Sequence, residues 1–383
     1  MISTMSNLLI LSLYSIWFIA IENSNFLSFC QVITESPKEI FNSQITDNSV
    51  KSHNIQDDLP YGFVRDASVD YTSYIQNAIS RYDEIIFPGF PLLINDTGLK
   101  IGSNKTISFL PGSELRLKPT FKGRYNILSL RNVKNVTLKN PVINGVKAAH
   151  LGNEGEWGMG IGIYGSSNIT LINPKVYNCW GDGIYIGTEN MLPSKNILIQ
   201  NAFLKGNRRD GISIISVIGL RLENLYAAYS NGTLPMCGIN FEPNNPSNEL
   251  KNIVVTNPRT EYNGGRGIQV GIRMMLGGGD KKIDITIINP VDISAGDNAM
   301  KISCKRKSGI IGGSISGTVK IINPTWNKTL SGRPLLMMVD QPNLKTYISS
   351  PNVMNSSGKI LNPSESIALL NRTVTKGQFI LAN

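Results

Sequence analysis

NVTLKNPVING (135–145) returns along the chain as NITLINPKVYN (168–178), NILIQNAFLKGN (196–207), LRLENLYAAYSN (220–231), NIVVTNPRTEYN (252–263), IDITIINPVDI (283–293) and VKIINPTWN (319–327). Each copy is a β-branched, alternating run that stops at asparagine. The turn asparagines Asn140, Asn173, Asn201, Asn224, Asn257, Asn289 and Asn323 lie 33, 28, 23, 33, 32 and 34 residues apart. A fixed period of this size identifies a repeat architecture in which each interval is one unit stacked on the last.

Within about ten residues of each run comes a second motif. It reads MGIGI (159–163), DGIYI (182–186), DGISI (210–214), CGINF (237–241), RGIQV (266–270) and, more weakly, NAMKI (298–302). Period-2 alternation directs the Ile, Val and Phe side chains inward onto their equivalents and the variable residue outward. Asparagine tolerates the left-handed backbone a tight bend requires, and stacked amides can bond from coil to coil. Two or three strands per coil, each about 4.8 Å from the next, make an all-β, single-stranded, right-handed parallel β-helix.

A solenoid needs its first coil covered. Upstream, DYTSYIQNAI (70–79) sets Tyr71, Ile75, Ala78 and Ile79 at helical spacing, and IIF (85–87) with Pro88-Gly89 follows. This predicts a short N-terminal capping helix leading into sheet. The domain reading is a signal peptide or anchor at 1–28, a polar linker at 29–60, the β-helix at 61–345 and a C-terminal cap or tail at 346–383. The apolar run LLILSLYSIWFIAI (8–21) has the length of a signal-peptide core and is shorter than a membrane span, which points to a secreted, periplasmic or cell-surface protein. If uncleaved, that segment is the one membrane contact expected.

Among 383 residues, 37 are Lys or Arg and 27 are Asp or Glu, a net charge of +10 that favours an anionic partner. The basic residues are spread thinly apart from Arg208-Arg209 and Lys305-Arg306-Lys307, unlike the one-sided clusters of nucleic-acid binders. Four cysteines, Cys30, Cys179, Cys237 and Cys304, are too few and too far apart for a disulfide framework or a zinc site. No coiled-coil heptads fix an oligomer, so a monomer or a homotrimer is expected.

The repeats, with the entry segment GLKIGSNKTISFLPGSELRL (98–117), resemble the pectin-lyase-like superfamily, in particular its polygalacturonase-like and tailspike-like members, over roughly residues 61 to 345. The resemblance implies a polysaccharide partner and a groove on the outer wall.

If the second motif is in register, the residue before its glycine forms a column: Met159, Asp182, Asp210, Cys237, Arg266, Asn298. Asp182 and Asp210 become vertical neighbours on the outer face, where like charges push one pKa up and leave one acid and one base. The next column is Gly162, Tyr185, Ser213, Asn240, Gln269, Lys301, with Glu242 beyond it. Asp182, Asp210 and Glu242 are therefore the candidate catalytic groups. Trp157, Trp180 and Tyr185 are candidates to meet sugar rings, Arg208, Arg209, Arg266 and Lys301 to meet anionic substituents, and Asn240 and Gln269 to bond hydroxyls.

Asp182-Gly183 resembles the first catalytic Asp-Gly of polygalacturonase-like hydrolases, and Asp210 stands where the second Asp of their Asp-Asp pair falls. The chain departs from that pattern with Arg209 in place of the first Asp of the pair, Cys237-Gly238 for His-Gly and Arg266-Gly267 for Arg-Ile-Lys. Three functions stay open: a glycoside hydrolase with two carboxylates and no cofactor, a uronate lyase or C5-epimerase with Ca2+ held by Asp182, Asp210 and Glu242, and a non-catalytic glycan-binding or adhesive solenoid.

Overall fold

The computed structural model describes residues 52–309 and 311–382. The leader expected at 8–21 lies outside them; among the described residues no helix is long and apolar enough to cross a membrane.

The chain winds through three parallel sheets in turn. The first has twelve strands, from His53–Asn54 to Phe379–Leu381; the second has ten, from Pro91–Ile94 to Asn352–Met354; the third has ten, from Leu99–Lys100 to Val374–Lys376. Every strand pair between coils is parallel, and one circuit of the three sheets is one period of the sequence repeat. This is the right-handed parallel β-helix expected.

Alternation builds the core. Ile107, Leu138, Leu171, Ile199, Leu222, Val255, Ile287, Ile321 and Ile348 stack in register up the first sheet, all buried. On the third sheet Ile161, Ile184, Ile212, Ile239, Ile268 and Met300 do the same. At the corner between the first and second sheets, Asn140, Asn173, Asn201, Asn224, Asn257, Asn289 and Asn323 all take positive φ, from 51° to 55°. From Asn173 onward, the amide of each donates to the Oδ1 of the asparagine one coil below, at 2.8–3.2 Å. The bend and the ladder thus come from one residue type.

Helix α1 (Thr72–Arg81) buries Thr72, Ile75, Ala78 and Ile79 over the first coil. Strand pairing runs beyond both ends of the repeat legible in the sequence. His53–Asn54 joins the first sheet and Ile55 is buried in the core. At the other end α2 (Pro363–Arg372), started by a capping box between Asn362 and Glu365, precedes strands that extend the third and first sheets.

Candidate functional site

The register of the second motif holds on every coil. Backbone N–H groups of Gly160, Gly183, Gly211, Gly238 and Gly267 donate to the carbonyls of Asp182, Asp210, Cys237, Arg266 and Asn298. The residues before the glycines are therefore stacked, as read from the sequence.

Their exposure is not as expected. Met159, Asp182, Asp210 and Asn298 are buried, so the column is no outward ladder. Counted back from the inward Ile184 and Ile212, Asp182 and Asp210 have inward parity, and each aspartate caps the coil above. Asp182 Oδ1 accepts the N–H of Asp210 at 3.1 Å, and Asp210 Oδ1 accepts the N–H of Cys237 at 2.6 Å. Asp210 Oδ2 accepts from Ser213 Oγ at 3.0 Å and Asn240 Nδ2 at 2.9 Å, two side chains of the expected outward column that are themselves buried.

Arg209 closes over them. Its Nη1 donates to Asp182 Oδ2 at 3.1 Å, Asp210 Oδ2 at 3.3 Å and Ser213 Oγ at 3.3 Å, while Nη2 bonds Glu242 Oε1. Its Nε is buried without a hydrogen-bond acceptor, with Glu156 Oε2 3.7 Å away. Four carboxylates from different coils thus surround one guanidinium whose side chain is 12% exposed. Burial raises both aspartates above the ordinary range; for Asp210 the charge of Asp182 adds to the rise, and for both Arg209 opposes it. Sequence reasoning saw Arg209 as a ligand for substrate anions and missed Glu156. It had no signal that one side chain would bridge four coils. In the elimination reading Ca2+ was expected among Asp182, Asp210 and Glu242, and the Arg209 guanidinium fills that position.

The remaining candidates divide. Trp180 is 8% exposed, with His150 stacked on it at 3.7 Å and the Arg208 guanidinium 4.0 Å from its ring. Two groups that close cannot share one face, so Trp180 offers none to a sugar. Arg208 also donates to Gly155 O at 2.6 Å, and Arg266 pairs with Asp297 at 2.7 Å. Asn240 accepts from Gln269 Nε2 at 2.9 Å while holding Asp210, so both amides serve the centre. Trp157, Tyr185, Lys301 and Glu242 line open space.

That space is two clefts on the third sheet, one on each side of Arg209. The N-terminal cleft, about 380 Å³, holds Trp157 (43% exposed), Tyr164, Tyr185, Arg124 and Arg131. Arg124 lies 4.7 Å from the Trp157 ring and Arg131 4.0 Å from Tyr164. These pairs, missed in the sequence, were within reach of it, since Arg124 and Arg131 sit one coil below Trp157 and Tyr164. The C-terminal cleft, about 820 Å³, holds Glu242, Gln269, Arg273, Lys301, Lys305 and Lys307. Asn244 borders both.

No family model matches the chain. The protein YclG of Bacillus subtilis (strain 168), described only as uncharacterized, is 26% identical over 214 residues, 48% of this chain and 37% of YclG. The matched part thus spans little more than a third of that relative. Among solved structures, the endo-xylogalacturonan hydrolase from Aspergillus tubingensis superposes with a TM-score of 0.56 at 17% identity over 75% of this chain and 82% of the hydrolase. The Streptococcus pneumoniae surface protein and adhesin PfbA gives 0.52 at 11% identity over 79% and 95%. Identities this low carry the architecture alone, and with the three parallel sheets they make this chain a right-handed parallel β-helix of the pectin-lyase-like fold.

Proposed function

We propose that the chain acts outside the cytoplasm on a polysaccharide lying along the third sheet, and that it hydrolyses glycosidic bonds at the carboxylates around Arg209. The observation that carries this is the convergence of Asp182, Asp210 and Glu242 from three coils on one buried guanidinium, with Glu242 lining the C-terminal cleft of the third sheet. Buried like charges are costly and concentrate where chemistry is done. One of the two aspartates, both raised by burial, holds a proton for the leaving oxygen, and an ionised partner activates water or attacks the sugar. For this, Arg209 must swing off the aspartates when substrate is bound. The xylogalacturonan hydrolase among the similar folds agrees with this reading, as the apolar run at 8–21 agrees with export.

One observation favours a second reading, a glycan-binding solenoid without catalysis: both aspartates are fully buried and cap backbone N–H groups. The surface protein and adhesin PfbA has a similar fold. Elimination is less well supported, because both Nη atoms of Arg209 already face protein carboxylates. Incubation with a panel of acidic polysaccharides separates the readings. Hydrolysis predicts new reducing ends without unsaturated products; binding alone supports the second reading, and unsaturated products overturn both.

A further inference from the structure

The charge of the groove is divided along its length. Around Arg209 stand Glu156, Asp182, Asp210 and Glu242, four acids to one base. The neighbouring cations are engaged elsewhere, Arg208 on Trp180 and Gly155 O, Arg266 on Asp297. A sugar carboxylate or sulfate placed here would meet more negative charge than positive.

The C-terminal cleft is the reverse. Arg273, Lys301, Lys305 and Lys307 line it, and among the described residues these four side chains have no ion pair with a carboxylate. Its one acid, Glu242, is bonded to Arg209. The loop carrying Lys305 and Lys307 is held in shape by Arg306, which bonds the carbonyls of Gly312 and Gly313. Lys301 occupies the same outward column as Ser213, through Asn240 and Gln269. Ser213 touches Arg209, so Lys301 stands three rungs from the centre, about 14 Å at 4.8 Å per rung. Its ammonium is held below the ordinary lysine range, first by burial and then by Arg266, with Asp297 opposing. In the N-terminal cleft, Arg124 lies over an aromatic ring, and Arg131 does too while pairing with Glu189.

We infer that the groove takes a glycan charged in part: an uncharged sugar sits at Arg209, and carboxylate or sulfate substituents farther along the chain sit among Lys301, Lys305, Lys307 and Arg273. The inference rests on the glycan reading above and deepens it by naming the substrate class. A uniformly charged polyuronate would force a carboxylate against the acidic centre.

Binding, read by titration calorimetry on the full chain, tests this without reference to cleavage. The probes are a neutral galacto-oligosaccharide, a sulfated galactan oligosaccharide charged on alternate sugars, and an oligogalacturonate of equal length. The partly charged probe is expected to bind most tightly, with salt weakening it. Lys301→Ala/Lys305→Ala is expected to lower that affinity roughly tenfold or more while leaving the neutral probe unaffected. Lys305→Ala/Lys307→Ala, confined to the exposed loop, shows the same trend without touching a strand. Tighter binding of the oligogalacturonate, charged-probe affinities unmoved in both variants, or no binding of any probe overturns the inference. A protein that binds in the predicted order but releases no reducing ends overturns the hydrolase reading alone.

Discussion

At the corner after the first sheet an asparagine amide bonds the asparagine one coil below, from Asn140 through Asn323, whereas at the corner before the third sheet a buried aspartate occurs on two coils only, at Asp182 and Asp210. Both columns exploit the same stacking. An amide donates and accepts, so each rung satisfies the next and the pattern can repeat without limit. A carboxylate only accepts: each aspartate takes one backbone N–H from the coil above and leaves an oxygen that needs a cation. Arg209 supplies it, and charge repulsion prevents the pattern from spreading. The asparagine column repeats without burying charge, whereas the aspartate pair caps two backbone N–H groups at the cost of buried charge.

The comparison can be broken most forcefully at Arg209. Arg209→Met leaves buried carboxylates without their cation, and unfolding in denaturant at pH 8 is expected to show a loss of about 3–5 kcal/mol. The aspartates have folded pKa values raised above their unfolded ones, so the stability they contribute is full below about pH 4 and is lost as pH rises through the raised values. Without Arg209 those values rise further. The deficit of the variant should therefore shrink at pH 5, and a deficit independent of pH would mean that packing, not charge, explains Arg209. The amide ladder predicts a smaller effect. Asn201→Ala removes one rung and places alanine at a φ of 54°, for an expected loss of about 1–2 kcal/mol by the same measurement. Asn201→Gly should lose less, because glycine accepts that backbone.

The period, the register and the inward columns were legible because apolar alternation and the turn asparagine report on single residues and their spacing. Parity at the corner was misread: alternation counted back from Ile184 and Ile212 gives Asp182 and Asp210 the inward side, where both are buried. What failed to show was that Arg209 closes over both. Convergence across coils was equally hidden. His150, Trp180 and Arg208 form one stack from three separate stretches, and nothing local to any of them announces it. Lys301 could be found because it falls in the outward column, while Arg273, Lys305 and Lys307 stand outside the strands, where register is silent.

Release of reducing ends from the polysaccharide that the wild-type protein cleaves best, measured beside Asp182→Asn/Asp210→Asn, tests the functional reading of the centre most directly. The amides keep the capping acceptors and remove the charges, so the double variant should melt cooperatively and generate no reducing ends. A folded double variant that cleaves like the wild type would contradict the assignment of this pair to catalysis.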